Sequence, residues 1–135
     1  MTLRQQQSLF VRLVGLLIDH AYKSGYEMTF GDAYRSPELA AANAAAGIGI
    51  AKSLHTQRLA VDLNLFRDGR FLANTEDHRA LGEWWEALHP LCRWGGRFKD
   101  GNHYSLEHEG RRDVADADVS IDAPAPLDSA LVNPS

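Results

Sequence analysis

The feature that most constrains the fold is a strict two-residue alternation between positions 59 and 65. Its apolar members are Leu59, Val61, Leu63 and Leu65, and they alternate with Ala60, Asp62 and Asn64. This period is typical of a β-strand that buries one face, so Asp62 is expected to point away from the apolar face. Asp68-Gly69 follows the strand. Because both central positions of a tight hairpin turn need positive φ, this pair predicts a hairpin.

Helical and extended patterns surround this strand. Three helices are predicted over residues 3–24, 37–46 and 75–88, a further strand over 27–34, and short strands with tight loops over 91–106. The residues that set the boundaries are the caps Thr2 and Ser36, the first-turn Pro37, and the breakers Gly25, Gly47, Gly49 and Pro90. The combination predicts an α+β domain with a short antiparallel sheet and helices packed on one side.

Charge is distributed unevenly along the 135 residues. Five of the 18 acidic residues lie in residues 113–135, which contain no Lys, Arg, Gly or aromatic residue. That leaves 14 basic and 13 acidic residues, a net charge of +1, in residues 1–112. We therefore predict a near-neutral domain over 1–112 and a disordered acidic tail over 113–135.

Composition also excludes several classes of protein. No run of Lys and Arg is longer than Arg111-Arg112, so nucleic acid is not an expected partner. The longest apolar stretch, residues 9–18, contains Arg12 and is too short to span a bilayer, so no membrane insertion is expected. Its flanks lack the charge and cleavage pattern of a signal peptide, which predicts synthesis in the cytoplasm. The single Cys92 fits a reducing compartment and is interpreted as a small buried residue.

A candidate metal site lies at the start of the alternating strand. His55, in the turn before it, and Asp62, on its polar face, can converge on one point, as zinc ligands must. A catalytic zinc needs a third protein ligand, for which His103 and His108 are both candidates. The structural alternative is that Asp62 pairs with an arginine and His55 caps a turn. The other histidines, interpreted as surface or helix-end residues, are His20, His78 and His89.

Two motifs in a fixed order carry a family resemblance. Residues 53–62 (SLHTQRLAVD) resemble the Ser-x-His-x(6)-Asp motif of the zinc D,D- and L,D-peptidases that cut bacterial peptidoglycan. That family includes vancomycin-resistance D,D-carboxypeptidases and phage L-alanyl-D-glutamate endopeptidases. Residues 94–104 (WGGRFKDGNHY) are similar to the Trp-Gly-Gly and Asp-x-x-His-aromatic signature of the phage endolysin branch. The resemblance spans about residues 9–108 and implies the zinc D-Ala-D-Ala-peptidase-like, or Hedgehog-like, fold.

Carried over position by position, the resemblance implies one zinc ion per chain. His55, Asp62 and His103 would hold it, and Asp100 would be the general base. Zinc lowers the pKa of its bound water and polarises the scissile carbonyl. A carboxylate three residues before a ligand can take the proton of that water and pass it to the leaving amine.

Four further residues are candidates for the site. Arg35, in a Tyr-Arg pair like that of the family, is expected to hold a substrate carboxylate or the oxyanion. Ser53 is expected to contact the substrate or to orient the His55 loop. Glu107 and His108 are secondary candidates for the third metal ligand. If residues 104–106 form a strand, the five-residue spacing puts His103 and His108 on opposite faces, so both cannot serve one site.

Three positions depart from the family pattern. Arg58 stands where glycine is common, Asn102 where proline is frequent, and Ser105 where Gln or Glu often follows. None of these changes removes a ligand or the base. Arg58 bears on the shape of the turn and adds a charge at the rim of the cleft.

The resemblance implies hydrolysis of an amide in the peptidoglycan stem peptide. The compact size and the Trp-Gly-Gly signature favour the L-alanyl-D-glutamate bond, cut by a monomeric phage or prophage endolysin that reaches the wall after a holin opens the membrane. Two alternatives stay open: a D-alanyl-D-alanine carboxypeptidase, and a non-catalytic zinc-binding or wall-binding module. The carboxylate of Asp100 argues against the second, because a silent relative is expected to lose the base.

Overall fold

A computed structural model describes residues 1–47 and 53–110. The helices of this part are α1 (Leu3–Lys23), α2 (Pro37–Ala45) and α3 (Arg79–Leu88). The strands are β1 (Glu27–Phe30), β2 (Ala60–Arg67), β3 (Arg70–Phe71), β4 (Cys92–Trp94) and β5 (His103–Leu106). Three short 3-10 segments are Leu54–Gln57, Thr75–His78 and Gly95–Phe98. The predicted tail over 113–135 and the predicted break at Gly49 lie outside the described residues.

The strands form one antiparallel sheet in the order β1-β2-β5-β4, with β3 paired to β2. Together with the helices, this confirms the predicted α+β class. In the central strand β2, Val61 and Leu63 are buried while Asp62 and Asn64 stay partly accessible, as a two-residue period requires. The polar face of β2 is therefore available for a functional site.

The turn after β2 confirms the predicted hairpin. Asp68 has a φ of +52° and Gly69 a φ of +77°, and Phe66 pairs with Phe71 across the turn. Positive φ at both central positions is the geometry of a type I′ turn, whose twist matches that of the strands it joins.

β1 is shorter than the predicted strand over 27–34. The N–H of Gly31 donates to the carbonyl of Asp62, and the N–H of Asp62 donates to the carbonyl of Asp32, both at 2.8 Å. Two residues of one chain segment thus oppose a single residue of β2, which is the arrangement of a β-bulge. A bulge ends the regular ladder and fixes the backbone of Asp62 from its outer side.

Capping residues set the helix ends as predicted. The Thr2 hydroxyl accepts from the N–H of Gln5, whose own side chain accepts from the Thr2 N–H, and Ser36 caps α2 in front of Pro37. The predicted helix over 75–88 forms a 3-10 turn first and becomes α-helical only at Arg79. The buried face of α1 packs against the sheet and α3 through Phe10, Leu13, Leu17 and Ala21.

Within residues 1–47 and 53–110, no helix combines the length and the apolar composition needed to cross a membrane.

Candidate metal centre and active site

Three predicted ligands meet on the polar face of the sheet. Asp62 of β2 and His103 of β5 are directly opposite each other in the antiparallel register. His55 lies in the 3-10 turn immediately before β2 and brings its imidazole to the same point. Among the described residues, these three side chains form the one group of His, Cys, Asp and Glu whose geometry suits a metal ion.

The distances within this triad fit a tetrahedral ion. The Nε2 atom of His55 is 3.3 Å and the Nδ1 atom of His103 is 3.2 Å from the Oδ1 atom of Asp62. Ligands bound to zinc at about 2.0–2.1 Å on a tetrahedron are about 3.3 Å apart. Two imidazole nitrogens and one carboxylate oxygen, with a position left for water, are also the donor set of many catalytic zinc sites. The residues therefore fit the implied metal.

The triad is largely withdrawn from solvent. His55 is 2% and His103 is 5% exposed, and the imidazole rings lie 5.0 Å apart at 73°. Burial, the largest single influence on Asp62, raises the pKa of its carboxyl, but the hydrogen bonds and charges of His103 and His55 together lower it more. The pKa of Asp62 consequently lies well below its usual range, and the carboxylate is ionised and ready to bind a cation.

The turn that carries His55 is fixed at both ends. At its start, the Ser53 hydroxyl accepts from the N–H of His55 at 3.1 Å and caps the turn. At its end, Arg58 adopts a left-handed conformation with φ +59° and ψ +36°, which costs an L-residue about 1 kcal/mol. Its guanidinium lies 3.9 Å from the centre of the Tyr34 ring, a contact worth about 0.5–1 kcal/mol. Arg58 thus adopts a backbone shape that favours glycine.

Asp100 lies at the open side of the triad. Its side chain is 62% exposed and its Oδ2 atom is 3.9 Å from the Nδ1 atom of His103. The backbone holds this position, since the Asp100 N–H donates to the carbonyl of Gly95 and the Asp100 carbonyl accepts from the N–H of His103. A carboxylate placed this way can reach both solvent and the metal position.

The Trp-Gly-Gly motif supports the loop that carries Asp100. A Cβ atom on Gly82 or Gly96 would come within 2.1 or 2.0 Å of the Trp94 ring, so the indole occupies space that only two glycines leave open. The indole Nε1–H of Trp94 donates to the carbonyl of Gly101 at 2.7 Å. The buried indole therefore connects α3 to both sides of the Asp100 loop.

Arg35 joins the site next to His55. Its backbone N–H donates to the carbonyl of His55 at 3.3 Å, and its Nη2 atom lies 3.1 Å from the Oδ2 atom of Asp32. The side chain is only 15% exposed, and its Nε atom makes no hydrogen bond within the described part of the chain. A buried guanidinium N–H without a protein acceptor is suited to an anionic ligand.

The two secondary candidates for the third ligand follow the end of β5 and contact other residues. Glu107 is fully buried and pairs with Arg93 at 2.6 Å, and the Nδ1 atom of His108 is 2.7 Å from the Oε1 atom of Gln6. The structure does not bring either residue into the triad.

His78 stands at the N-terminal end of α3, which is one of the two placements expected for it from sequence. It is nevertheless buried, with 3% exposure, and its Nδ1 atom lies 3.1 Å from the Tyr104 hydroxyl. Burial lowers the pKa of His78, with a smaller opposing effect from Asp77. The sequence carries a signal for this burial, because His78 shares a helical stripe with Leu81 and Trp85 at three- and seven-residue steps.

No protein-family model matches the chain, and no curated protein matches it in sequence. Its structure is similar to the crystal structure of the Serratia marcescens L-Ala D-Glu endopeptidase ChiX, with a TM-score of 0.61 and 20% sequence identity. The match covers 72% of this chain and 77% of that chain. The small antiparallel sheet with its packed helices is thus a fold that this chain shares with a peptidase.

Proposed function

We propose that this chain is a zinc-dependent peptidase that hydrolyses the L-alanyl-D-glutamate bond of the peptidoglycan stem peptide. The observation that carries the proposal is the convergence of His55, Asp62 and His103. Their ligand atoms are separated by the distances expected between ligands of one zinc ion, and Asp100 lies at the open side. The fold shared with an L-Ala D-Glu endopeptidase supports the choice of substrate. The motif resemblance to the phage endolysin branch supports a role in host lysis by a phage or prophage.

In this proposal, Asp100 is the group that moves protons. A bound zinc would supply an acidified water and polarise the scissile carbonyl. The exposed carboxylate of Asp100 accepts a proton from the attacking water and then donates it to the leaving amine. The well-lowered pKa of Asp62 suits it to the opposite task, because a permanently ionised carboxylate serves as a ligand rather than as a base.

Arg35 is proposed to bind the negative charge of the substrate. Its backbone N–H donates to the His55 carbonyl, and its buried Nε–H makes no hydrogen bond within the described residues, so the guanidinium can meet a substrate carboxylate or the oxyanion that forms during hydrolysis. Ser53 acts indirectly by fixing the turn of His55. We expect a monomer with one zinc ion to be sufficient for the reaction.

The direct test is mass spectrometry of purified muropeptides after digestion by the zinc-loaded protein. Fragments split after the first L-alanine support the proposal, whereas release of free D-alanine identifies a carboxypeptidase instead. Intact muropeptides in the presence of bound zinc identify a non-catalytic binding module. A protein that lyses walls without holding zinc overturns the metal assignment.

A variant pair assigns the base. Asp100→Ala is expected to keep its zinc and to lose at least about a hundredfold in turnover, the usual scale for an acid–base residue. Asp19→Ala, which removes an exposed carboxylate paired with Lys23 on α1, is the matched control and should cut at the wild-type rate. Undiminished hydrolysis by Asp100→Ala removes Asp100 from the mechanism.

A further inference from the structure

A pocket of about 190 Å³ continues the metal site along β2. Asn64 lines it and follows Asp62 by two residues, so the two side chains lie on the same strand face about 7 Å apart. Asp100 lines the pocket as well, which makes it contiguous with the reaction centre. Arg35 joins the centre from the other end of the strand, beside the His55 that precedes β2. The pocket and Arg35 therefore flank the triad.

The walls of this pocket carry hydrogen-bond donors. The Nδ2 atom of Asn102 donates to the Oδ1 atom of Asn64 at 3.3 Å, and the second hydrogen of that amide is left for a ligand. The Nδ1 atom of the buried His78 is engaged by the Tyr104 hydroxyl, so Nε2 is the ring nitrogen that can meet a ligand.

Lys99 gives the pocket its positive charge. It is exposed, it lines the pocket, and it makes no ion pair with any residue of 1–47 or 53–110. Its backbone is left-handed with a φ of +66°, as the last residue before Asp100. The carboxylate of Asp100 opposes the entry of an anion, and the Lys99 ammonium offsets that charge within the same pocket.

A pocket with one cationic side chain and several neutral hydrogen-bond donors favours a carboxylate as its ligand. A carboxylate accepts several hydrogen bonds and gains most from a charged donor that has no other acceptor. A stem peptide that contains D-glutamate offers such a group beside the bond proposed to be cut, and its diamino acid carries another. A peptide held by Arg35 at one end of the triad and by Lys99 at the other would lie across the metal position.

We propose that the pocket is a second substrate subsite, in which Lys99, Asn102 and His78 bind a carboxylate of the stem peptide. The inference rests on the proposed function for its choice of substrate. It makes Lys99 a specificity-determining residue for acidic peptides.

Binding and turnover of the zinc-loaded protein test the subsite separately. Binding is measured by calorimetry in an Asp100→Asn background, so that the muropeptide survives, with and without Lys99→Gln. We expect Lys99→Gln to weaken binding about tenfold, and less so at high salt. In the Asp100-containing protein, Lys99→Gln should raise KM about tenfold and leave kcat within about twofold. Lys23→Gln, the same change on the exposed surface of α1, is the control and should alter neither quantity.

Amidated substrates identify the carboxylate. The same measurements use one muropeptide with the α-carboxyl of D-glutamate amidated and another with the free carboxyl of the diamino acid amidated. The effect of Lys99→Gln should vanish with one of the two, as a pairwise interaction requires. An equal effect with all substrates, or unchanged binding in the first place, overturns the subsite. Binding that depends on Lys99 without any cleavage by the wild type overturns the proposed function and leaves the subsite standing.

Discussion

Gly95→Ala is expected to reduce both the zinc affinity and the stability of the protein. The Gly95 backbone does not need positive φ, so alanine is compatible with its local conformation. The obstacle is space, because a Cβ atom would lie 2.5 Å from the Asp100 carbonyl oxygen and 2.7 Å from the Cβ atom of His103. The substitution therefore displaces His103, a proposed zinc ligand, and the backbone of Asp100, the proposed base, at the same time.

The geometry sets the size of the effect. Ordinary contacts begin at 3.4 Å, so the two neighbours must retreat by 0.9 and 0.7 Å. Overpacking of this kind costs about 1–3 kcal/mol of unfolding free energy. Metal–ligand distances tolerate only about 0.2 Å, and a misplacement of about 1 Å costs about a hundredfold in rate. We expect the zinc affinity and the turnover of Gly95→Ala each to fall by at least about tenfold, and turnover by as much as a hundredfold.

The assays are competition with a chromophoric chelator for zinc affinity, and urea denaturation for the free energy of unfolding. Gly15→Ala is the control, since a Cβ atom there meets nothing within 4 Å on α1. It should gain about 0.5–1 kcal/mol of stability from the helix and keep native zinc affinity. Native zinc affinity in Gly95→Ala, or an equal loss in both variants, would refute the reasoning.

Two further predictions concern residues around the triad. Arg58→Gly should be about 1 kcal/mol more stable than Arg58→Ala, because both lose the contact with Tyr34 and only glycine relieves the left-handed strain; equal midpoints in urea would contradict this. Because burial lowers the pKa of His78 below 6.5, the unfolded chain gains a proton there that the folded chain does not, so stability should fall as pH drops through about 6.5. The free energy of unfolding should change by at most about 1.4 kcal/mol per pH unit, and His78→Asn should reduce this dependence. If urea titrations at pH 5–7 give the same dependence for His78→Asn and the wild type, the prediction is wrong.

Local patterns were sufficient to predict the elements that position the site. The alternation that ends before Asp68-Gly69 predicted β2 and its hairpin, because both signals depend only on neighbouring residues. Caps such as Thr2 and Ser36 fixed the helix starts to within a residue. The end of β1 was missed because the bulge at Gly31 arises from pairing with Asp62, which is distant in sequence.

The candidate site depended on distant pairings that local patterns do not specify. Spacing alone left His103 and His108 as equal third ligands, and the family resemblance favoured His103. The register that sets His103 opposite Asp62 gives a physical reason, because directly paired residues of adjacent strands point to the same face of the sheet and lie close together. The burial of His78 was not predicted for a related reason: its partner Tyr104 lies on β5, and its pocket is lined by the loop of Asp100.

The packing of Trp94 explains why chemically inert residues belong to the second motif. The indole fills the space above Gly82 and Gly96, and its hydrogen bond to Gly101 closes the loop that contains Asp100. The exposed carboxylate of Asp100, the proposed base, is therefore positioned by a side chain that is 1% exposed. A base on an exposed loop must be held within a fraction of an ångström, and close packing in the core supplies that rigidity where solvent-exposed contacts do not. The packing of the Trp-Gly-Gly sequence in the core thus fixes the loop that carries the proposed base.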